Sequence, residues 1–174
     1  MTPTAIDIRP ARPEDAAAIR HVHERAFGDT NVAQLVDLLQ AAHKALIALV
    51  AVAEDQVVGH ILFSSVTIAQ APVGFCGVGL APLGVLPAFQ GQGIGSSLVR
   101  AGLEICRRTG YDAVVVLGNP RYYERFGFSR ASAYQLGNEY GADEAFMVLG
   151  LKDGILQAIS GLVQYQPEFR ATGC

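Results

Sequence analysis

Two apolar, partly β-branched runs lie almost end to end in this chain: residues 45–53 (ALIALVAVA) and 57–68 (VVGHILFSSVTI). Only Glu54-Asp55-Gln56 separates them. A parallel connection needs about a dozen residues or more, so a link this short joins antiparallel neighbours. A β-hairpin is therefore expected at these positions, and an all-parallel sheet is excluded.

Other elements follow from pattern. Residues 5–9 (AIDIR) alternate as a half-buried strand does. Pro13 followed by Glu14 and Asp15 starts a helix, since Pro needs no N–H there and the acids face the positive end of the dipole. Ile19, Val22, Ala26 and Phe27 mark its inner face, which also carries His23, whereas His21 points elsewhere. A second helix fits 31–42, with Leu35, Leu38 and Leu39 inward and Gly28-Asp29 as the break. Residues 69–77 contain Pro72, Gly74 and Gly77 and read as a loop, and 79–86 (GLAPLGVL) as a short strand. Helical spacing resumes at Ile94, Leu98, Ala101, Gly102 and Ile105, and Gly110 stops it. Residues 111–117 (YDAVVVL) form a strand, 121–126 a short helix, and 145–151 (AFMVLGL) another strand.

The order is thus β-α-α-β-β-β-α-β-α-β. Three successive strands without a helix require some antiparallel pairing, whereas 79–117 should be a parallel crossover. The expected fold is a mixed α/β layer structure with helices on both faces. With 174 residues, one domain is expected, and about 70% of the unfolded chain's surface can be buried at this size. Residues 1–151 are taken as that domain and 152–174 as a C-terminal extension packing on it.

Net charge is -3, and no basic run exceeds Arg107-Arg108, so no nucleic-acid groove is expected. No basic segment followed by an apolar stretch opens the sequence, and the longest uncharged apolar run, Ala45 to Ala53, is strand-sized. Neither a signal peptide nor a membrane partner is therefore expected. Cys76, Cys106 and Cys174 are odd in number and show no metal spacing, which suits reduced thiols in the cytoplasm. The four histidines show no ligand spacing either, so no metal is expected.

The segment richest in chemistry joins a strand to a helix: Val85-Leu86-Pro87-Ala88-Phe89-Gln90-Gly91-Gln92-Gly93-Ile94-Gly95-Ser96-Ser97. Gly91, Gly93 and Gly95 let backbone approach a ligand without a Cβ in the way. Unpaired N–H groups of the first helical turn, with about half a positive charge from the dipole, favour an anion. A pyrophosphate would fit without any Lys, and Ser96 and Ser97 could add hydroxyl donors. A tight turn needed only for packing would use the same glycines. A P-loop is excluded because no Lys lies in 45–151. A dinucleotide fingerprint needs GxGxxG, whereas the spacing here is GxGxG, and Asp112 opens the next strand instead of closing it.

Gln90-Gly91-Gln92-Gly93-Ile94-Gly95 resembles the Gln/Arg-x-x-Gly-x-Gly/Ala signature of the GCN5-related N-acetyltransferases (GNAT). Leu83-Gly84-Val85-Leu86-Pro87 looks like the exit of that family's fourth strand. Tyr122-Tyr123-Glu124-Arg125-Phe126-Gly127-Phe128 resembles its Tyr-x-x-x-Gly-Phe segment, and the order of elements fits over roughly 5–151. Leu117-Gly118-Asn119-Pro120-Arg121-Tyr122-Tyr123 is similar to a bacterial branch of predicted acetyltransferases.

The resemblance implies a mostly antiparallel sheet whose central parallel pair, 79–86 and 111–117, splays apart, with a bulge near Val85-Leu86. The pantetheine arm of acetyl-coenzyme A would lie in that gap, bonded to the backbone of Leu83 and Val85. The Val85 N–H, or its neighbour's, would polarise the thioester carbonyl. Amides of Gln92, Gly93, Gly95 and Ser96 would hold the pyrophosphate, with Gln90, Gly91 and Ser97 completing the cofactor loop. Tyr123 would protonate the departing thiolate, or else serve only as core beside Phe126 and Phe128, with Tyr122 its packing partner. Asn119 would touch the cofactor arm, or else only close a strand-end turn with Pro120.

The implied reaction is N-acetylation of a small-molecule or peptide amine by direct attack. An alkylammonium, with a pKa of about 10.4, must first lose its proton. Family members often place a Glu on the fourth strand for this, but 78–86 holds no acid; Glu24, His60, Glu139 and Glu144 are the remaining candidates. His60 also reads as an ordinary core residue. Cys76 between glycines reads as a loop residue ahead of an acetyl-accepting thiol. A coenzyme A-binding sensor without catalysis would use the same glycines, and a longer acyl chain would fit the same phosphate loop. Loops near 28–34, 69–77 and 130–144 would choose the acceptor, with Asp143 and Glu144 able to attract a cation. By family analogy a homodimer is allowed.

Overall fold

A computed structural model describes residues 4–174. The first strand, β1 (Ile6–Pro10), pairs antiparallel with β2 (Ile47–Ala53). β2 in turn pairs antiparallel with β3 (Gln56–Gln70), Ile47 opposite Phe63 and Ala53 opposite Gln56, as the short link demands. Glu54 at φ 48° and Asp55 at φ 65° make the turn. Two left-handed residues give the twist that a two-residue hairpin needs.

α1 (Ala16–Phe27) and α2 (Asn31–Ala41) come between β1 and β2. Gly28, at φ 77°, ends α1 in the left-handed conformation, its amide donating to the Glu24 carbonyl. β4 (Gly77–Val85) is the neighbour of β3, and α3 (Ile94–Thr109) leads from it to β5 (Ala113–Leu117). β4 and β5 are parallel, as a strand-helix-strand crossover requires. Then follow α4 (Pro120–Glu124), β6 (Ser129–Arg130), β7 (Leu136–Asn138), β8 (Phe146–Gly150), β9 (Ser160–Gln164) and α5 (Pro167–Ala171). β8 pairs antiparallel with both β5 and β6. The order is β1-β2-β3-β4-β5-β8-β6, with β9 antiparallel to the end of β3 and parallel to β7.

Helices cover opposite faces of β3. A Cβ added to Gly59 would meet Leu98 and Ile94 of α3 at 3.0 and 3.3 Å. The adjacent His60 touches His23 of α1. Successive strand residues point to opposite faces, so α3 and α1 lie on opposite sides.

The chain divides into two compact units, Met1–Phe63 with Pro82–Leu103 and Pro167–Cys174, and Ser64–Ala81 with Glu104–Gln166. The first is built on Val22, Leu35, Leu39, Val50, Ile61, Leu62, Phe63 and Leu98, all buried. Its α5 packs on α2, where Lys44 Nζ meets Glu168 Oε1 at 2.7 Å. The second is built on Val114, Val115, Phe128, Phe146, Met147 and Val163.

The strands and main helices fall where pattern places them, with boundaries moved by a few residues: β3 runs on to Gln70 and β5 begins at Ala113. β6, β7, β9 and α5 are absent from the pattern-based order. β6 and β7 are too short to show a period. β7 and β9 also make a second parallel pair. No helix among the described residues is long and apolar enough to cross a membrane.

Candidate functional site

The first unit carries the glycine loop. Gly91 and Gly93 take φ 74° and 82°, and a Cβ on either would meet no protein atom within 4 Å. The backbone therefore requires glycine for its conformation, while the space beside it stays open. α3 begins at Ile94, so the amides of Ile94 and Gly95 stand at its entry, where no carbonyl lies a turn behind them. The Ser97 amide and hydroxyl both donate to the Gly93 carbonyl at 3.0 Å, which ties Ser97 to the loop's own backbone. Ser96 is buried at the same turn.

Two bonds orient the strand end before the loop. The Leu86 amide donates to the Val58 carbonyl of β3 at 2.8 Å. The Gln90 side-chain amide donates to the Val85 carbonyl at 2.9 Å. N–H directions alternate along a strand, so the Val85 N–H points to the edge of β4 away from β3, as does that of Leu83. Of the neighbours of Val85, Leu86 already has its amide engaged by β3.

His23 and His60 also meet in this unit. Both are 0% exposed, and His23 Nε2 lies 2.7 Å from His60 Nδ1. Burial alone lowers His23 to about 4, while burial first and then His23 hold His60 well below the usual imidazole range against the opposing charge of Asp15. His23 lies against the backbone of Gly84, where an added Cβ would stand 2.8 Å from its Nδ1. Periodicity places His23 inward and His60 on a strand, but nothing in the sequence pairs residues this far apart. Glu24 is held by Arg20 at 2.9 Å.

In the second unit, registered pairing of β4 with β5 covers only Gly77–Gly79 against 113–115. β5 continues to Leu117 on β8 alone, with Leu117 opposite Phe146. The parallel pair thus separates after three registered positions. Beyond β5, Asn119 caps α4, its side-chain oxygen accepting from the Arg121 amide at 3.0 Å. The turn role is therefore real, and the side-chain NH2 is the end it leaves unused. Tyr123 lies on Gly118, where a Cβ would come within 2.3 Å of the ring, so the close approach requires glycine there. Its ring packs edge-on to Phe128 at 5.7 Å, and burial pushes its phenol pKa up.

Glu139 accepts from the Tyr165 amide at 3.1 Å, and Glu144 is exposed. Asp112 accepts from the Cys76 amide at 2.7 Å and from Lys152 Nζ at 2.6 Å, a joint between segments. All three cysteines are free; Cys76 is exposed, and burial pushes the Cys106 thiol up to about 12. Among the described residues no group of three or more His, Cys, Asp or Glu could hold a metal ion.

Comparison with known proteins gives concordant results. The model of the acetyltransferase (GNAT) family matches residues 16–128. The uncharacterized N-acetyltransferase YhbS of Escherichia coli (strain K12) is 37% identical over 164 residues, spanning 93% of this chain and 97% of its own. The crystal structure of YhbS from Escherichia coli in complex with CoA matches with a TM-score of 0.90 at 35% identity, over 98% of this chain and 94% of that one. A GNAT family acetyltransferase from Brucella melitensis in complex with acetyl-CoA matches with a TM-score of 0.79 at 38% identity, over 95% and 99% of the two chains.

Proposed function

This chain belongs to the GNAT family of acetyltransferases, and on that premise we propose that it binds acetyl-coenzyme A and transfers the acetyl group to a primary amine by direct attack. The observation that carries the reading is the pair of left-handed glycines, Gly91 and Gly93, open on their Cβ side at the entrance of α3. Such an entrance suits a pyrophosphate without a lysine. Support also comes from two similar proteins whose crystal structures hold CoA and acetyl-CoA.

The bound thioester supplies an activated acyl group. Amides of Gln92, Gly93, Gly95 and Ser96 grip its phosphates, and Ser97 keeps the loop in shape. The backbone of Leu83 and Val85 aligns the pantetheine arm, and the Val85 N–H polarises the acyl carbonyl, a contact typically worth about 3 kcal/mol in the transition state. Tyr123, kept protonated by its burial, donates to the departing sulfur. The Asn119 side-chain NH2 contacts the cofactor arm. Three free cysteines suit a reducing compartment, so the cytoplasm is the proposed setting.

Two measurements test this. Calorimetric titration with acetyl-coenzyme A should give one saturable site. Release of free thiol should then rise with at least one member of a panel of small and peptide amines. Saturable binding with no thiol release from any amine would replace catalysis by a coenzyme A sensor. No binding would remove both.

A further inference from the structure

The segment between β7 and β8 holds the two acids expected to attract a cation, but a third acid there is better placed. Asp143 is already taken by the Arg130 guanidinium at 2.6 and 3.3 Å, and Glu144 is exposed. Glu139 is half-buried and accepts from the Tyr165 amide at 3.1 Å. The buried Asn138 shapes the loop that carries it. Asn138 Nδ2 donates to the Ala142 carbonyl at 2.7 Å, and its Oδ1 accepts from the amides of Tyr140 and Ala142 at 2.9 and 3.2 Å. With Gly141 left-handed at φ 68°, these bonds give the loop its shape before any ligand arrives.

Tyr165 links that loop to the parted strands. Its ring lies on Gly79, where an added Cβ would stand 2.6 Å from it, and Gly79 is the last position at which β4 is registered with β5. The Tyr140 ring, 42% exposed, lies 6.0 Å from the Tyr165 ring. Burial first, and then the charges of Tyr140, Tyr123 and Glu139, push the Tyr165 phenol up, so these three groups stand near it. All of these residues belong to the second compact unit. Glu139 meets Tyr165 at its backbone, whereas the ring reaches the parting. The carboxylate therefore stands about one side chain's length back from the place where the strands separate.

We propose that Glu139, with the Tyr140 ring beside it in the same loop, binds a second cationic group of the acceptor, which makes the acceptor an alkyl diamine or polyamine. This rests on the acetyl-transfer reading and names the acceptor class for that same site. The reacting nitrogen must be neutral when it attacks. A carboxylate paired with it would favour its charged form and oppose the reaction. A carboxylate set back from the parting holds the far ammonium instead and leaves the near nitrogen to react. One carboxylate offers about four acceptor sites, so the bond to the Tyr165 amide does not stop an ammonium from joining it. An exposed aromatic face attracts the same cation. Glu139 is partly open to solvent and Tyr140 more so, which gives a ligand access to both.

The test uses the full chain and follows thiol release from acetyl-coenzyme A. Butylamine, 4-aminobutanoate and 1,4-diaminobutane share a reacting amine and a chain length and differ at the far end, and spermidine extends the series. Wild type should prefer the diamine and spermidine to butylamine by about tenfold or more in kcat/KM, with 4-aminobutanoate the poorest. Added salt should erode that preference. Glu139→Gln, whose amide oxygen can still accept from the Tyr165 N–H, should bring the diamine and spermidine down to the level of butylamine, with KM for acetyl-coenzyme A within about twofold of wild type. Tyr140→Leu should lower both by a smaller factor. A wild type that uses butylamine as well as the diamine and spermidine overturns the inference whether or not any variant folds. A folded Glu139→Gln that keeps the preference overturns it too, as does a wild type that acetylates other amines but none of these. In each of those cases acetyl transfer stands. A wild type that binds acetyl-coenzyme A and acetylates no amine removes the acetyl-transfer reading and this inference together.

Discussion

The Leu86 amide donates to the Val58 carbonyl, and this single 2.8 Å bond decides where Val85 can act. With Leu86 facing β3, Val85 must face the other edge of its strand. Its carbonyl is occupied by the Gln90 side chain, which leaves the N–H as the group that edge presents.

Replacing Val85 by Pro removes that N–H while retaining the carbonyl that Gln90 holds. An edge position tolerates proline, so the fold should survive. The expected result is a 10²–10³-fold loss of kcat, of the order of magnitude seen when one oxyanion donor is removed. Coenzyme A affinity, measured by calorimetry, should change far less. Leu86→Pro deletes the paired amide instead and should lower the melting temperature. Equal activity in Val85→Pro and wild type would refute the polarising role.

Gly93 and Gly154 offer a matched comparison. Their φ angles are 82° and 73°, and an added Cβ meets nothing at either. Alanine should therefore cost each about 1–2 kcal/mol of stability through the left-handed backbone alone. Only Gly93→Ala should weaken coenzyme A binding, by tenfold or more if the phosphate sits where the Cβ would stand, a change of about 1.4 kcal/mol. Similar affinities for the two variants would show that the loop is a turn and nothing else.

Tyr123 combines a buried ring with a hydroxyl. Tyr123→Phe retains the packing on Gly118 and Phe128 and deletes only the proton. Thermal stability should hardly move, KM for acetyl-coenzyme A should stay within about twofold, and kcat should fall by about 10²-fold. An unchanged kcat would reduce Tyr123 to a core residue.

Much of this was legible beforehand, for identifiable reasons. The hairpin followed from a three-residue link, and α3 from a spacing ended by Gly110, which takes φ 91°. The glycine loop was legible because left-handed backbone leaves its mark on composition. The His23–His60 contact was not, because it depends on how α1 settles on β3, and periodicity reports only that each side chain points inward. β6 and β7 have two and three residues and leave no period to read. The competition at Asn119 also needed coordinates: its oxygen caps α4, a choice that sequence leaves open.

Acid stability should fall in two separable windows. His23 and His60 are neutral in the fold because burial lowers both, whereas in the unfolded chain they titrate at about 6.5. Below that pH the unfolded state binds more protons, so their contribution is complete above about 6.5 and declines as pH falls toward the folded value of about 4 for His23. Asp15 acts lower. The Arg9 guanidinium, and after it the Arg12 amide, hold its carboxyl below the usual range despite burial. Unfolded, it returns to about 3.9, so its contribution persists above that value and is lost only as pH drops through its depressed folded pKa. Thermal melts from pH 8 to 3 should therefore show wild type losing stability from about 6.5 downward. His23→Gln should flatten the upper part of that slope. Asp15→Asn should sit at a constant deficit down to about pH 4 and converge with wild type below it. A His23→Gln curve parallel to wild type between pH 7 and 4 would mean that its imidazole titrates in the fold as it does in the unfolded chain, and the buried neutral pair would have to be abandoned.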